Sequence, residues 1–182
     1  MGIVDTKVKV AGKTVGEYDI VPNPWIEEVY DDEGNLIATK LHGHKRIRDG
    51  MYDGYYNLTT ISIPDSVTTI GTYAFAYCSG LTTINIPNSV TTIGDSAFDS
   101  CSGLTTISIP DSVIRINSYA FAYCTNLNSV IFKIKPSYTM YKNTFQGCTN
   151  LTDIKVPWSE GAVPNAPWGA TNATITYNYV GE

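Results

Sequence analysis

Excess positive charge, long apolar runs and catalytic signatures are all missing from this chain, and each absence removes a class of function. Twelve Lys and Arg stand against seventeen Asp and Glu, a net charge of -5, and the densest basic stretch is the short HGHKRIR at 42–48. A phosphate backbone is held by clustered cations, so nucleic acid is not an expected partner. No apolar run approaches the roughly 20 residues that a helix needs to cross a bilayer, so no membrane span is expected. The opening MGIVDTKVKVAGK lacks the apolar stretch of a secretory signal, although MGIVDT fits the short, loose myristoylation pattern. There is no GxSxG, no HExxH and no Gly-rich phosphate loop. A general base would have to be His42, His44 or a scattered carboxylate, so the chain is read as a non-enzyme without a cofactor. The two histidines lie two residues apart with no third ligand nearby in sequence, which describes a solvated basic loop better than a metal site.

What the chain does contain is a period. The segment LTTISIPDSVTTIGTYAFAYCSG at 58–80 recurs almost unchanged as LTTINIPNSVTTIGDSAFDSCSG at 81–103 and LTTISIPDSVIRINSYAFAYCTN at 104–126. A looser fourth copy begins at Leu127 and carries one inserted residue, and a partial fifth begins at Leu151. A fixed period of this length marks a solenoid in which each repeat is one coil.

Numbered from its leucine, each copy places apolar residues at positions 1, 4, 6, 10, 13, 17, 18 and 21, filled in the first copy by Leu58, Ile61, Ile63, Val67, Ile70, Ala74, Phe75 and Cys78. The IxI spacing of two predicts a short strand with one buried face, and Pro64, Pro87 and Pro110 end it because proline cannot donate to a ladder. Gly71 and Gly94 predict a bend, and the spacing of Ala74, Phe75 and Cys78 predicts a single helical turn too short to stand alone. One coil buries too little to offset the entropy of ordering it, so folding requires stacked neighbours and capped ends. Residues 45–57 align one period back as a degenerate half-repeat, with Ile47 over Ile70 and Tyr52 over Phe75. The expected organisation is an N-terminal β-rich cap or attachment domain at 1–46, with hairpins in VKVAGKTV and in WIEEVYDDEGNLIATKL. The repeat array follows at 47–157 and a C-terminal cap at 158–182, the latter ending in a strand with Ile175, Tyr177 and Tyr179 on one side.

The pattern LxxIxIPxSVxxIGxxAFxxCxx resembles the repeats of bacterial surface proteins of the BspA-like (Treponema pallidum type) leucine-rich repeat family. The resemblance covers Leu58 to about Val156 and implies a right-handed leucine-rich repeat coil that binds proteins or host surfaces, with no catalytic residues to carry over. The ending VPWSEGAVPNAPWGATNATITYN is similar to that of repeat proteins encoded in phage and prophage tail regions. Together these imply a non-catalytic binding or structural module, expected to be a phage or prophage virion protein of the tail or surface that presents its repeat face to a protein or host surface. The expected location is a virion or an extracellular surface, and the expected partner a protein, a cell-surface glycan or other virion proteins, with homo-oligomerisation open. A secreted or cell-surface adhesin is the alternative.

Three residue sets are singled out. Cys78, Cys101, Cys124 and Cys148 all occupy position 21; stacked coils put them in a line rather than in the tetrahedron zinc requires, so they are read as a core column. The outward strand positions 3 and 5 carry Thr60, Ser62, Thr83, Asn85, Thr106, Ser108, Ser129, Ile131, Asp153 and Lys155, one candidate binding face. The other is the pair Tyr73 and Tyr77 with Tyr119 and Tyr123, replaced by Ser96 and Ser100 in the second copy. Exposed tyrosines bring large contact area at low entropy cost; packing against neighbouring coils is the competing reading. Within the core, Phe98 in the middle coil is expected to matter more to stability than Phe145 near the irregular end.

Overall fold

The structure, a computed structural model, describes residues 8–10, 13–14, 25–133, 139–162 and 166–181. Strands β1 (Val8–Val10) and β2 (Lys13–Thr14) pair antiparallel, and β1 pairs antiparallel with β3 (Trp25–Tyr30). β3 forms a hairpin with β4 (Leu36–His42), with a bulge at Val29/Tyr30. The hairpin closes through DDEGN at 31–35. Asn35 N–H donates to Asp31 Oδ1 at 2.7 Å and Gly34, at φ 85°, donates its N–H to the Asp31 carbonyl at 3.0 Å, a turn that needs both the Asx side chain and the glycine. The Asn35 side-chain amide, donating Nδ2 to Asp31 Oδ2 at 2.9 Å, and then the Asn35 N–H hold the Asp31 carboxyl below the usual aspartate range.

From β4 onward the chain winds. β4 pairs in parallel with β6 (Thr60–Ser62), matching Ala38 to Thr60, so the last strand of the hairpin is already a coil strand. A second column runs without interruption through five parallel strands: β5 (Arg46–Ile47), β7 (Thr69–Ile70), β8 (Thr92–Ile93), β10 (Arg115–Ile116) and β12 (Thr139–Met140). On the first side, β9 (Thr106–Ile109), β11 (Ser129–Phe132), β13 (Asp153–Lys155) and β14 (Thr174–Thr176) are also parallel. The pairing matches Ile109 to Phe132 but Ile116 to Met140, so the extra residue of the fourth copy is absorbed between them, a stretch whose residues 134–138 lie outside those described.

Two expectations need correction. The IxI of the second copy, Ile84 and Ile86, is buried but forms no strand, and the ladder on that side opens between β6 and β9; no residue of the copy explains this. The predicted helical turn at AFxxC is not a helix. In the first copy Tyr73, Phe75 and Tyr77 donate their N–H groups to Asp95, Ala97 and Asp99 of the next coil. The alternate residues Ala74, Ala76 and Cys78 donate instead to the carbonyl three residues back in their own coil. Each N–H thus has a partner, but half of the partners belong to the neighbouring coil. Apolar spacing alone cannot separate a helical turn from this third laddered side, because both bury the same three residues.

The eight columns converge on one core, and Phe75, Phe98, Phe121 and Phe145 are all fully buried. Tyr52 and these rings stack face to face at 5.3, 5.2, 5.1 and 5.8 Å between successive centroids. Phe145 also meets Phe132 edge-on at 6.3 Å. It is therefore packed as fully as Phe98, which removes the reason for expecting a smaller cost on truncating it. At the C-terminal end Trp168, fully buried, packs on Phe132 at 5.6 Å, and Phe145 N–H donates to its carbonyl at 2.9 Å. Among the described residues no helix is long and apolar enough to cross a membrane.

Hydroxyls reinforce the stack outside the core. Ser66, Ser89 and Ser112 donate Oγ–H to the carbonyls of His44, Val67 and Val90 in the preceding coil at 2.6, 2.6 and 2.8 Å. Thr68 and Thr91 do the same to Lys45 and Thr68. These recurring serines and threonines are therefore coil-to-coil fasteners.

Candidate functional site

The cysteine column is structural. Each thiol donates to a carbonyl of the preceding coil: Cys78 to Tyr52, Cys101 to Phe75, Cys124 to Phe98 and Cys148 to Phe121, at 3.0 to 3.2 Å. Burial pushes the Cys78 thiol up to about 12 and raises Cys101 well above the ordinary value, so at these two the thiolate that would attack or ligate is suppressed; a hydrogen bond between Cys124 and Cys148 raises the former and lowers the latter. All four are free and buried. The folded protein at pH 8 is therefore expected to titrate with close to zero thiol equivalents towards a bulky disulfide reagent, and with four after denaturation. Rapid labelling of even one in the folded state would show the column to be open.

His42 and His44 do not converge. His42 Nε2 lies 3.4 Å from Glu27 Oε2, whereas His44 Nδ1 turns back to the His42 carbonyl at 3.1 Å. Among the described residues no group of three His, Cys, Asp or Glu is placed to hold a metal ion.

The two candidate faces lie on different sides of the coil. On the sheet side, Thr60, Ser62, Thr83, Asn85, Thr106 and Ser108 are exposed, and Ser129, Ile131, Asp153 and Lys155 are half-buried. Register aligns Thr106, Ser129, Asp153 and Thr174 in one row and Ser108, Ile131, Lys155 and Thr176 in the next. Thr83 and Asn85 sit where the ladder is interrupted, so the ten residues do not make one continuous sheet. At the C-terminal end Lys155 Nζ reaches Asp153 at 3.4 Å and lies 5.1 Å above the Tyr179 ring. Beside it opens a cleft of about 440 Å³ lined by Ile131, Phe132, Lys133, Pro157, Tyr179 and Val180. Lys155 is thus already engaged within the fold.

The residues of the tyrosine side share an uncommon backbone geometry. Tyr73, Tyr77, Tyr119 and Tyr123 all have left-handed backbone, at φ 53°, 59°, 58° and 55°, as do Ser96 and Ser100 at 50° and 58°. The aligned positions of the half-repeat are Gly50 and Gly54, and Gly147 stands below Tyr123 in the fourth copy, all with positive φ. A non-glycine residue in this region costs roughly 1–2 kcal/mol, which is offset at Tyr73, Tyr77 and Tyr123 by ladder bonds from their N–H groups to Asp95, Asp99 and Gln146 of the next coil. The half-repeat's glycines aligned with the tyrosines were the one sequence signal for it. A Cβ on Gly147 would overlap the Tyr123 ring, so that ring lies across the next coil, and Gln146 Nε2 donates to its hydroxyl at 3.3 Å. Ser96, the residue next in the stack after Tyr73, is correspondingly buried, while the four tyrosines remain 38–57% exposed. For Tyr123 both readings thus describe one ring, which packs on the neighbouring coil and meets solvent elsewhere.

Within this surface the second coil differs in chemistry. Where the first and third have Ala76 and Ala122, fully buried, it has Asp99, half-buried and accepting from Ser100 Oγ at 2.9 Å. Burial raises the pKa of the Asp99 carboxyl. Among the described residues no Lys, Arg or His lies within ion-pair distance of it.

Comparison with known proteins agrees with this architecture. The chain is similar to a leucine rich cell surface protein from Faecalibacterium prausnitzii, with 27% identity over 82% of this chain and 41% of that one and a TM-score of 0.65. It shares its fold with a leucine-rich repeat protein from Bacteroides ovatus, at 22% identity over 86% of this chain and 47% of the other with a TM-score of 0.61. The same holds for the leucine rich repeat protein of T. pallidum, at 20% identity, 88% and 83% coverage and a TM-score of 0.59. The chain spans less than half the length of the first two. No curated protein matches it. Residues 45–166, from the half-repeat to the C-terminal cap, match the BspA type leucine rich repeat region in six copies, and the chain belongs to that family.

Proposed function

We propose that this chain is a non-catalytic binding module displayed on an outer surface, where the side of its solenoid recognises a protein partner. The observation that carries the proposal is the division of the repeat: the matched columns serve the core or the ladder, whereas the copies differ mainly on the tyrosine side, where Thr72, Tyr73, Ala76 and Tyr77 of the first coil give way to Asp95, Ser96, Asp99 and Ser100 of the second. A fold of this kind holds a rigid face on backbone hydrogen bonds, so its surface residues change without loss of the scaffold. The likeness to a protein described as a cell surface protein favours the bacterial envelope as the carrier, and adhesion as the role.

A virion component is the second reading, favoured by the likeness of residues 156–178 to phage and prophage tail-region repeat proteins, with residues 1–46 as the attachment segment. The test is labelling of intact producing cells with an antibody to the chain, alongside mass spectrometry of purified phage particles from the same culture. Labelled cells are the expected result. Recovery in particles without cell labelling would assign the virion role, and material found only inside cells would overturn both.

A further inference from the structure

The second coil interrupts an otherwise apolar and aromatic surface with a charge that the fold does not require. TYAFAY in the first coil and SYAFAY in the third become DSAFDS in the second, so the substitutions put Asp95, Ser96, Asp99 and Ser100 between two pairs of tyrosines. The pairs stand two coils apart, about 10 Å at the ladder spacing. Backbone contacts fix the neighbours. Tyr77 N–H donates to the Asp99 carbonyl at 2.8 Å, and Ser100 N–H donates to the carbonyl of Ala122, next to Tyr123, at 2.8 Å. Ser100 therefore stands in the column between Tyr77 and Tyr123, both about half exposed, with Asp99 beside it in the column between Ala76 and Ala122.

Stability alone would favour alanine at this position, as in the coils on either side. The carboxylate is partly desolvated, with the hydroxyls of Ser100 and Ser96 as its partners and no cation, which is unfavourable for the isolated chain. Asp95 differs: it accepts from Asn117 Nδ2 at 3.1 Å at the exposed surface. A half-buried carboxylate on a side that also exposes tyrosines is the complement of a planar cation. A guanidinium stacks on an aromatic ring and donates in a fork to a carboxylate. The overall charge of -5 attracts partners of the opposite sign.

We infer that the tyrosine side, centred on Asp99, is the docking face for a basic segment of a partner protein, with an arginine of that segment seated at Asp99 beside Tyr77. The inference rests on the proposed binding role and names its face and the chemistry of its partner. The sheet side is then the less committed of the two faces, since its C-terminal charges Asp153 and Lys155 pair with each other.

The test uses the purified full chain and a fluorescein-labelled nonapeptide carrying three arginines spaced by serine and glycine, read by fluorescence anisotropy. Saturable binding is expected, at least tenfold weaker for Asp99→Ala and for Tyr77→Ala, and lost for the same peptide with citrulline in place of arginine. Because alanine occupies the equivalent position in two other coils, Asp99→Ala keeps the fold, and an unchanged or raised melting temperature confirms that lost binding is not unfolding. Binding unaffected by Asp99→Ala, or removed instead by the sheet-side variant Thr106→Glu, would overturn the inference. So would equal binding of the citrulline peptide, or saturable binding of a neutral oligosaccharide, maltoheptaose, that Asp99→Ala abolishes. The measurement is made on isolated protein, so it fails or succeeds independently of where cells or phage carry the chain.

Discussion

Replacing Phe98 by alanine is expected to lower stability by about 3–5 kcal/mol, the range for aromatic truncation in a core that cannot collapse. Phe98 is fully buried and lies between Phe75 and Phe121, with centroids 5.2 and 5.1 Å away. Those neighbours cannot close the gap, because coil spacing is set by backbone bonds on both flanks: Phe75 N–H to Ala97 O and Phe98 N–H to Ala120 O, each at 2.8 Å. Most of the ring's volume therefore remains as a cavity. For a chain of this length the loss corresponds to a fall in melting temperature of roughly 6–20 °C. Guanidinium unfolding distinguishes two outcomes that both fit a one-dimensional stack: an unchanged denaturant slope if the array still unfolds as one unit, and a smaller slope if the halves uncouple. A loss below about 1 kcal/mol would contradict the stacked-ring core. Phe145→Ala is expected to cost a comparable amount, since its ring touches both Phe121 and Phe132.

Trp168→Ala is expected to cost about 3–5 kcal/mol as well, but in a different place. The indole closes the last coil by packing on Phe132, and its carbonyl accepts the Phe145 N–H. A coil at the end of a stack has one neighbour rather than two, so losing its cover exposes Phe132, Phe145 and Trp158 to water without disturbing the middle. Hydrogen exchange should show this directly. Protection is expected to fall first at the amides of β11 and β13 and to persist at Gly94 and Phe98. Uniform loss across all coils would mean that the array has no separable end and that the cap contributes only to global stability.

The contrast between these two sites reflects how differently the sequence exposes its information. Repetition made the core legible: a residue that returns to the same column in successive copies is held there by its neighbours above and below, so Leu58, Ile70, Phe75 and Cys78 could be placed inward without a structure. The hairpin at 25–42 was legible for a local reason, since Asp31, Gly34 and Asn35 carry their turn chemistry within five residues. The backbone of the AFxxC side was not. Its apolar spacing fits a helical turn, and only the N–H groups of Tyr73, Phe75 and Tyr77, donating to the next coil, show a third ladder in its place. Likewise the interruption of the sheet at Ile84 and Ile86 leaves no mark in a copy that matches its neighbours almost letter for letter.

For this protein, then, the sequence by itself determined the period, the inward columns and the absence of catalytic signatures, because burial in a stack repeats with the chain. The tertiary structure decided which side of the coil each exposed residue occupies and what stands beside it. Asp99 and Tyr123 are twenty-four residues apart in sequence and belong to different copies; they become neighbours only when backbone bonds set one coil on the next. A contact between coils depends on that register and on the left-handed bends at Tyr77 and Ser100, which no single copy specifies.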